Sequence, residues 1–149
     1  MTDILTVKDV SFSFGDKAVL NNVSLEVQKG EIVSILGPSG VGKSTLFNLI
    51  AGILPLQKGA IEVDDAPISF GKVSYMLQKD LLLEHKTVLG NIILPLQLKK
   101  ISKEEATSTA LKLLDEFKLG SIANLYPNAL SGGMRQRVAL LRTYLLGHS

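Results

Sequence analysis

The sequence predicts an α/β fold: an antiparallel β part, a partly parallel core sheet and a helical subdomain. Three observations predict it. Apolar and polar residues alternate from Val10 to Phe14 and again over Val23-Ser24-Leu25-Glu26-Val27-Gln28, the period of strands with one buried face. Ile32-Val33-Ser34-Ile35-Leu36 is nearly continuous in apolar residues, as expected of a strand covered on both faces, and it runs into a glycine-rich loop and then a helical pattern. Beyond Gln78 the apolar spacing is helical.

Taken in order, Gly15-Asp16 offers the turn between the first two strands, and Lys29-Gly30 the turn into the apolar run. From Lys43, the residues Leu46, Leu49 and Ile50 share one helical side, and Gly52 stands where a left-handed residue would stop the helix. Ala60-Ile61-Glu62-Val63 and Lys72-Val73-Ser74-Tyr75-Met76-Leu77 are further short strands by composition. Ser102-Lys103-Glu104-Glu105 has the form of a capping box, which satisfies two backbone donors of a helix's first turn. The stripe Ala106, Ala110, Leu113, Leu114 and Phe117 follows at three- and four-residue spacing and ends near Gly120. A last helix follows Ser131 with Val138, Leu141 and Leu145 on its apolar side.

Composition narrows the function classes. With 149 residues and 46% hydrophobic content, the chain can bury the core of one ordinary globular domain. Its 16 basic and 14 acidic residues are interspersed, so the concentrated basic field of a nucleic-acid binder is absent and no nucleic-acid partner is expected. There is no cysteine, which excludes disulfides and thiolate metal sites. The start Met1-Thr2-Asp3 lacks the pattern of a secretory signal. The most apolar stretch, Ile92-Ile93-Leu94-Pro95-Leu96, falls well short of the roughly 20 residues a spanning helix needs. Any membrane role is expected to be peripheral.

Gly37-Pro38-Ser39-Gly40-Val41-Gly42-Lys43-Ser44 fits the phosphate-loop pattern of two glycines with four residues between them, followed by lysine and a hydroxyl residue, here continued by Thr45. Its place between an apolar strand and a helix is the context that gives the pattern meaning. Several backbone N–H groups must converge on a phosphate chain, and glycines permit the close approach and positive φ that this requires. The helix start adds donors and about half a positive charge. In that arrangement Lys43 reaches the β- and γ-phosphates and the Ser44 hydroxyl holds Mg²⁺. The loop alone leaves GTPases, kinases and motor ATPases open.

A second motif narrows the choice. In Leu130-Ser131-Gly132-Gly133-Met134-Arg135-Gln136-Arg137, Ser131 is placed as an N-cap and the Gly132-Gly133 backbone can press against a phosphate. The run closely matches the Leu-Ser-Gly-Gly-Gln signature, and with the phosphate loop the chain resembles the ATP-binding-cassette (ABC) ATPases from Thr6 to its last residues. The resemblance implies a P-loop nucleoside triphosphatase fold and one domain over 1–149, with the β part and phosphate-loop core in 1–78 and the Q-loop region, helical subdomain and signature helix in 79–149. It implies that Phe14 stacks on adenine, where a core phenylalanine is the competing expectation, and that Gln78 contacts Mg²⁺ and the attacking water and couples to a membrane partner. It implies that Ser131, Gly132 and Gly133 meet the γ-phosphate held by a second subunit paired head to tail. Tyr75-Met76-Leu77-Gln78-Lys79-Asp80-Leu81-Leu82 is most similar to nitrate, sulfonate and taurine importers.

The resemblance therefore implies an ATP-binding subunit on the inner face of the cell membrane, partnered by a permease and a solute-binding protein, with ATP and Mg²⁺ as cofactors. It also implies a strand ending in aspartate, a water-activating glutamate and a switch histidine after the signature. None follows by Ser149, so the chain is expected to stop before that strand, to bind ATP through Lys43 and its loop, and to hydrolyse it poorly. A regulatory fragment or pseudogene product, and a cassette ATPase outside transport, are the alternative readings. Leu113-Leu114-Asp115-Glu116 imitates the missing pair but precedes the signature and reads as a helix with a solvated acidic face. His85 and His148 read as solvent-exposed histidines.

Overall fold

The structure is a computed structural model and describes residues 3–147. The expectations for the Met1-Thr2 start and for His148 lie outside the described residues. The chain divides into two compact units, Met1–Val73 and Ser74–Ser149.

The first unit is built on an antiparallel sheet in the order β2-β1-β3-β4, formed by β1 (Asp3–Phe14), β2 (Lys17–Gln28), β3 (Lys58–Val63) and β4 (Ala66–Pro67). β1 begins well before Val10. Its register shifts between Val7 and Val10, where Asp9 has φ 50°, so Val7 and Val10 both face the core although they are an odd three positions apart. A bulge of this kind resets the two-residue period and hides the first half of the strand from a reading by alternation. The Asp9 amide donates to Ser24 Oγ at 2.9 Å, and the Asn22 amide donates to Ser11 Oγ at 2.9 Å. Serine hydroxyls thus serve backbone groups at the irregularity. Helix α1 (Lys43–Ile50) lays Leu46, Leu49 and Ile50 on Val7, Val10, Phe12, Leu20 and Ile61.

Two predicted strands are corrected. Neither Ile32–Leu36 nor Lys72–Leu77 is paired into a sheet, so the partly parallel core sheet is not formed among the described residues. Ile32 and Leu36 are 93% and 91% exposed, and only Ile35 of that run packs against the core. An apolar run becomes a buried strand only where neighbouring strands satisfy its amides and cover both faces. Among the described residues no strand takes that place.

The second unit is helical: α2 (Val88–Ile92), α3 (Leu94–Leu98), α4 (Lys103–Glu116) and α5 (Gly132–Gly147), with short 3₁₀ turns at Gly120–Ile122 and Pro127–Ala129. Ser102 caps α4 as expected, accepting from the Glu105 amide at 3.2 Å. Ala106, Ala110, Leu113 and Leu114 are buried, whereas Phe117, expected in the same stripe, is the C-cap and is 40% exposed. The helix is stopped by Lys118 at φ 56° rather than by Gly120: the Lys118 amide donates to Asp115 O and the Leu119 amide to Leu114 O, a Schellman ending closed by the buried Leu114 and Leu119. Asp115 and Glu116 are exposed on α4, and His85 is exposed. The core of the unit joins Leu113 and Leu114 to Val88, Ile92, Val138 and Leu141.

Candidate functional site

In the first unit, Gly37 to Gly42 lead into α1 without a side-chain cap on the helix. The amides of the first turn are therefore not taken by a capping side chain, whereas the Leu46 amide already bonds Gly42 O at 2.9 Å. Gly42 is the N-cap residue at φ 106°, ψ 3°, and it is buried against β2. A β-carbon there would lie 2.9 Å from Leu20 Cδ2 and 3.0 Å from Val19 O, so both conformation and space require glycine. Gly40 is also left-handed, at φ 82°, but opens onto free space. Lys43, half-buried, folds back over the loop and donates from Nζ to Gly37 O and Pro38 O, both at 2.7 Å. An ammonium lying over a glycine-rich loop, at the uncapped positive end of a helix, can serve as a cradle for an anion with several oxygens. Pro38, Ser39, Val41 and Ser44 are exposed, and Thr45 is partly buried.

Phe14 closes β1 and is 54% exposed, which removes the alternative of a core phenylalanine. Its ring meets Phe12 edge-on with centroids 5.0 Å apart, while Phe12 itself is buried. One face of the unit thus presents an aromatic surface anchored in the core.

In the second unit the signature run opens α5 as predicted. Ser131 Oγ accepts the Met134 amide at 3.3 Å and Ser131 O accepts the Arg135 amide at 2.9 Å. Gly132 and Gly133 are exposed, with nothing within 4 Å of where a β-carbon would stand. Gln78 lies in an irregular exposed segment rather than at a strand end, and the Gln136 side chain donates to its carbonyl at 3.4 Å.

That segment is tied to α5 by residues the sequence reading did not single out. Arg135 makes a two-point contact with Asp80, Nε to Oδ2 and Nη2 to Oδ1, both at 2.9 Å, and also bonds Glu84 at 2.7 Å. Arg142 donates to the carbonyls of Leu81 and Asp80 at 2.8 and 2.6 Å. The Arg135 hydrogen bond, with help from the Leu82 amide, holds the Asp80 carboxyl below its usual range. Arg135 is held above its ordinary value by Asp80 and then Glu84, while burial pushes Arg142 down. Asn91, wholly buried, accepts from the Leu83 amide and donates to the carbonyls of Leu83, Lys86 and Thr87, so one side chain shapes the loop before α2. The Arg spacing along α5 was a visible signal, with Arg135 and Arg142 two turns apart on one face, but their partners at Asp80 and Glu84 lie more than 50 residues upstream. Behind this segment, a groove of about 230 Å³ is lined by Tyr75, Leu77, Leu81, Leu94, Leu98 and Leu146, among others.

The chain was also compared with known proteins. The chain is 43% identical over 144 residues to the formylaminopyrimidine import ATP-binding protein ThiZ of Halalkalibacterium halodurans, covering 96% of this chain and 56% of that protein. It is 39% identical over 141 residues to the taurine import ATP-binding protein TauB of Yersinia pestis, covering 93% and 55%. It thus spans about half the length of these curated relatives. Among solved structures it is similar to an ATP-binding cassette dimer in a post-hydrolysis state with ADP and phosphate bound, at a TM-score of 0.81 and 34% identity, over 95% of this chain and 69% of that one. The profile of the ABC transporter family matches residues 20–149, from the second strand through the signature helix, and this chain belongs to that family.

Proposed function

We propose that the chain is the nucleotide-binding part of an ABC importer's ATPase subunit. The observation that carries this reading is the uncapped start of α1 behind left-handed Gly42, with the Lys43 ammonium lying over the loop. Those residues fit a triphosphate: Gly37, Ser39, Gly40, Val41 and Gly42 supply amides, Pro38 shapes the loop without donating, Lys43 supplies charge to the β- and γ-phosphates, and Ser44 and Thr45 carry hydroxyls in the first turn of α1. Lys43 must exchange its two carbonyl partners for phosphate oxygens when nucleotide enters. Ser44 would hold Mg²⁺, which would supply charge neutralisation to the transferring phosphoryl group. Phe14 offers its exposed ring to the adenine.

In a head-to-tail pair of subunits, the exposed Gly132 and Gly133 amides and Ser131 face the γ-phosphate on the partner subunit. The groove beside Gln78 receives a segment of the membrane permease, so the protein sits on the inner face of the membrane. Among the described residues no helix is long and apolar enough to cross a membrane, and Leu77, Leu81, Leu98 and Leu146 are all at least 41% exposed around the groove. Exposed leucines in a groove suit an apolar partner segment. Kinship with the taurine and formylaminopyrimidine importers supports a small organic solute delivered by a solute-binding protein. A polypeptide of these 149 residues has no aspartate or glutamate after Glu116, so it turns Mg-ATP over weakly for want of a side-chain base on the attacking water.

The test is titration of the purified chain with a fluorescent ATP analogue and Mg²⁺. Saturable binding that Lys43→Ala weakens at least about tenfold, the loss of a charge-assisted contact of roughly 1.5–3 kcal/mol, supports the reading. Equal binding by both proteins refutes it. Phosphate release that is rapid and abolished by Lys43→Ala refutes the weak-turnover part alone.

A further inference from the structure

Gln57 makes an unusual contact for an exposed loop side chain. Its amide Oε1 accepts the Ser13 backbone N–H at 2.8 Å while its Nε2 donates to the Ser13 backbone C=O at 3.0 Å, across 44 residues of sequence. The side-chain amide thereby imitates a neighbouring strand. The place where it does so is informative. On one side Ser13 pairs with Ala18 of β2, but on the other the ladder with β3 ends at Ser11 opposite Lys58, the first residue of β3. Gln57 immediately precedes Lys58 and carries the ladder on to Ser13, which would otherwise present both backbone groups to water. The next residue is Phe14, whose ring meets Phe12 edge-on and is otherwise half exposed.

We propose that Gln57 is a positioning residue for the nucleotide base: by closing the edge of β1 at Ser13 it fixes the backbone from which Phe14 projects, so the aromatic surface is presented in one orientation. This rests on the reading of Phe14 as the base platform. A stacking surface gains affinity in proportion to how little ordering remains to be done on binding. A strand end held by β2 on one side alone, next to the Gly15-Asp16 turn, would fray more readily and leave that ordering to the ligand.

The experiment compares fluorescent ATP with inorganic tripolyphosphate, which has no base, on the 149-residue chain and its variants, with thermal melting followed in parallel. Gln57→Ala is expected to weaken ATP binding about fivefold, the scale of one or two neutral hydrogen bonds, and to leave tripolyphosphate binding unchanged. Phe14→Ala is expected to weaken ATP selectively as well, and the double variant to be no weaker than Phe14→Ala alone. Gln57→Glu, which keeps the acceptor for the Ser13 amide and loses the donor, is expected to fall between wild type and Gln57→Ala. If Gln57→Ala weakens both ligands alike, its role is general stability and the proposal is overturned. If Phe14→Ala weakens ATP while Gln57→Ala does not, the platform stands but Gln57 does not position it. If Phe14→Ala leaves ATP binding intact, the platform itself is wrong and the proposal goes with it.

Discussion

Replacing Gly42 with alanine separates two requirements that the phosphate loop places on one residue. The backbone there sits at φ 106°, and the added methyl would approach Leu20 Cδ2 to 2.9 Å and Val19 O to 3.0 Å. The left-handed conformation costs an alanine about 1–2 kcal/mol. Forcing a carbon into a packed interface costs a further 1–3 kcal/mol or so, because the Val19 carbonyl belongs to β2 and cannot rotate away as a side-chain tip can. Gly42→Ala should therefore lose about 2–5 kcal/mol of stability. Gly40→Ala provides the control, since Gly40 is also left-handed, at φ 82°, but meets nothing within 4 Å, so only the conformational part of about 1–2 kcal/mol applies. Urea unfolding followed by far-ultraviolet circular dichroism reads both losses, and nucleotide titration reads their consequence. The amides of Lys43, Ser44 and Thr45 follow directly from the Gly42 geometry, so Gly42→Ala should lose nucleotide affinity beyond its loss of stability. Equal losses of stability for the two variants would show that packing against β2 plays no part in fixing the loop.

Two further outcomes concern the second unit. Asn91→Leu keeps the number of side-chain heavy atoms but removes the hydrogen bonds of the buried amide, leaving the Leu83 amide and the Lys86 carbonyl to find other partners, while the Leu83 and Thr87 carbonyls still accept from the Lys86 and Asn91 amides. The two Nδ2 hydrogens are shared among three carbonyls, so with the Leu83 amide the side chain makes the equivalent of three bonds, and at about 1 kcal/mol net per bond the expected loss is about 3 kcal/mol, read as a lowered urea midpoint with an unchanged slope. Asp80 predicts a pH dependence. Its folded-state pKa lies below the unfolded one, so the folded chain binds fewer protons, and the stability it contributes is complete above the ordinary aspartate range, about pH 4, and declines as the pH falls through the lowered value. Asp80→Asn should flatten that acid-side decline in an unfolding series, and an unaltered pH profile would mean that the Arg135 contact does not hold the charge.

The two glycine-containing loops and the helices behind them were legible in the sequence because each is written locally. The glycines, Lys43 and the stripe of Leu46, Leu49 and Ile50 lie within 14 residues, and Ser131 with its glycines opens α5 as a cap does in any helix. The first half of β1 was hidden because the bulge at Asp9 breaks the alternation. The runs Ile32–Leu36 and Lys72–Leu77 misled for a different reason. Apolar composition states that a segment prefers cover, but the ladder that makes it a strand is a property of neighbours, which a local reading does not contain. The Arg135–Asp80 contact and the Gln57–Ser13 pair, separated by 55 and 44 residues, were invisible for the same reason.

The two helix starts solve the same electrostatic problem in different ways, and the difference follows from what competes for their amides. At α1 no side chain caps the helix, and the nearest basic group, Lys43, occupies carbonyls rather than amides. The first-turn N–H groups therefore stay available, and the loop's own lysine must move for an anion to gain its full contacts. At α5 Ser131 Oγ already takes the Met134 amide, so the helix is stable without a ligand and only the Gly132 and Gly133 amides are offered. A stable capped helix with two amides in the open suits a surface that must be ready before its target arrives, whereas an uncapped one gains its missing partners from the ligand itself. Ser131→Ala should therefore lower the stability of the chain by about 1 kcal/mol in urea unfolding and leave nucleotide binding at the Lys43 loop unchanged. A loss of nucleotide affinity in the isolated chain that exceeds the loss of stability would contradict this division of labour between the two helix starts.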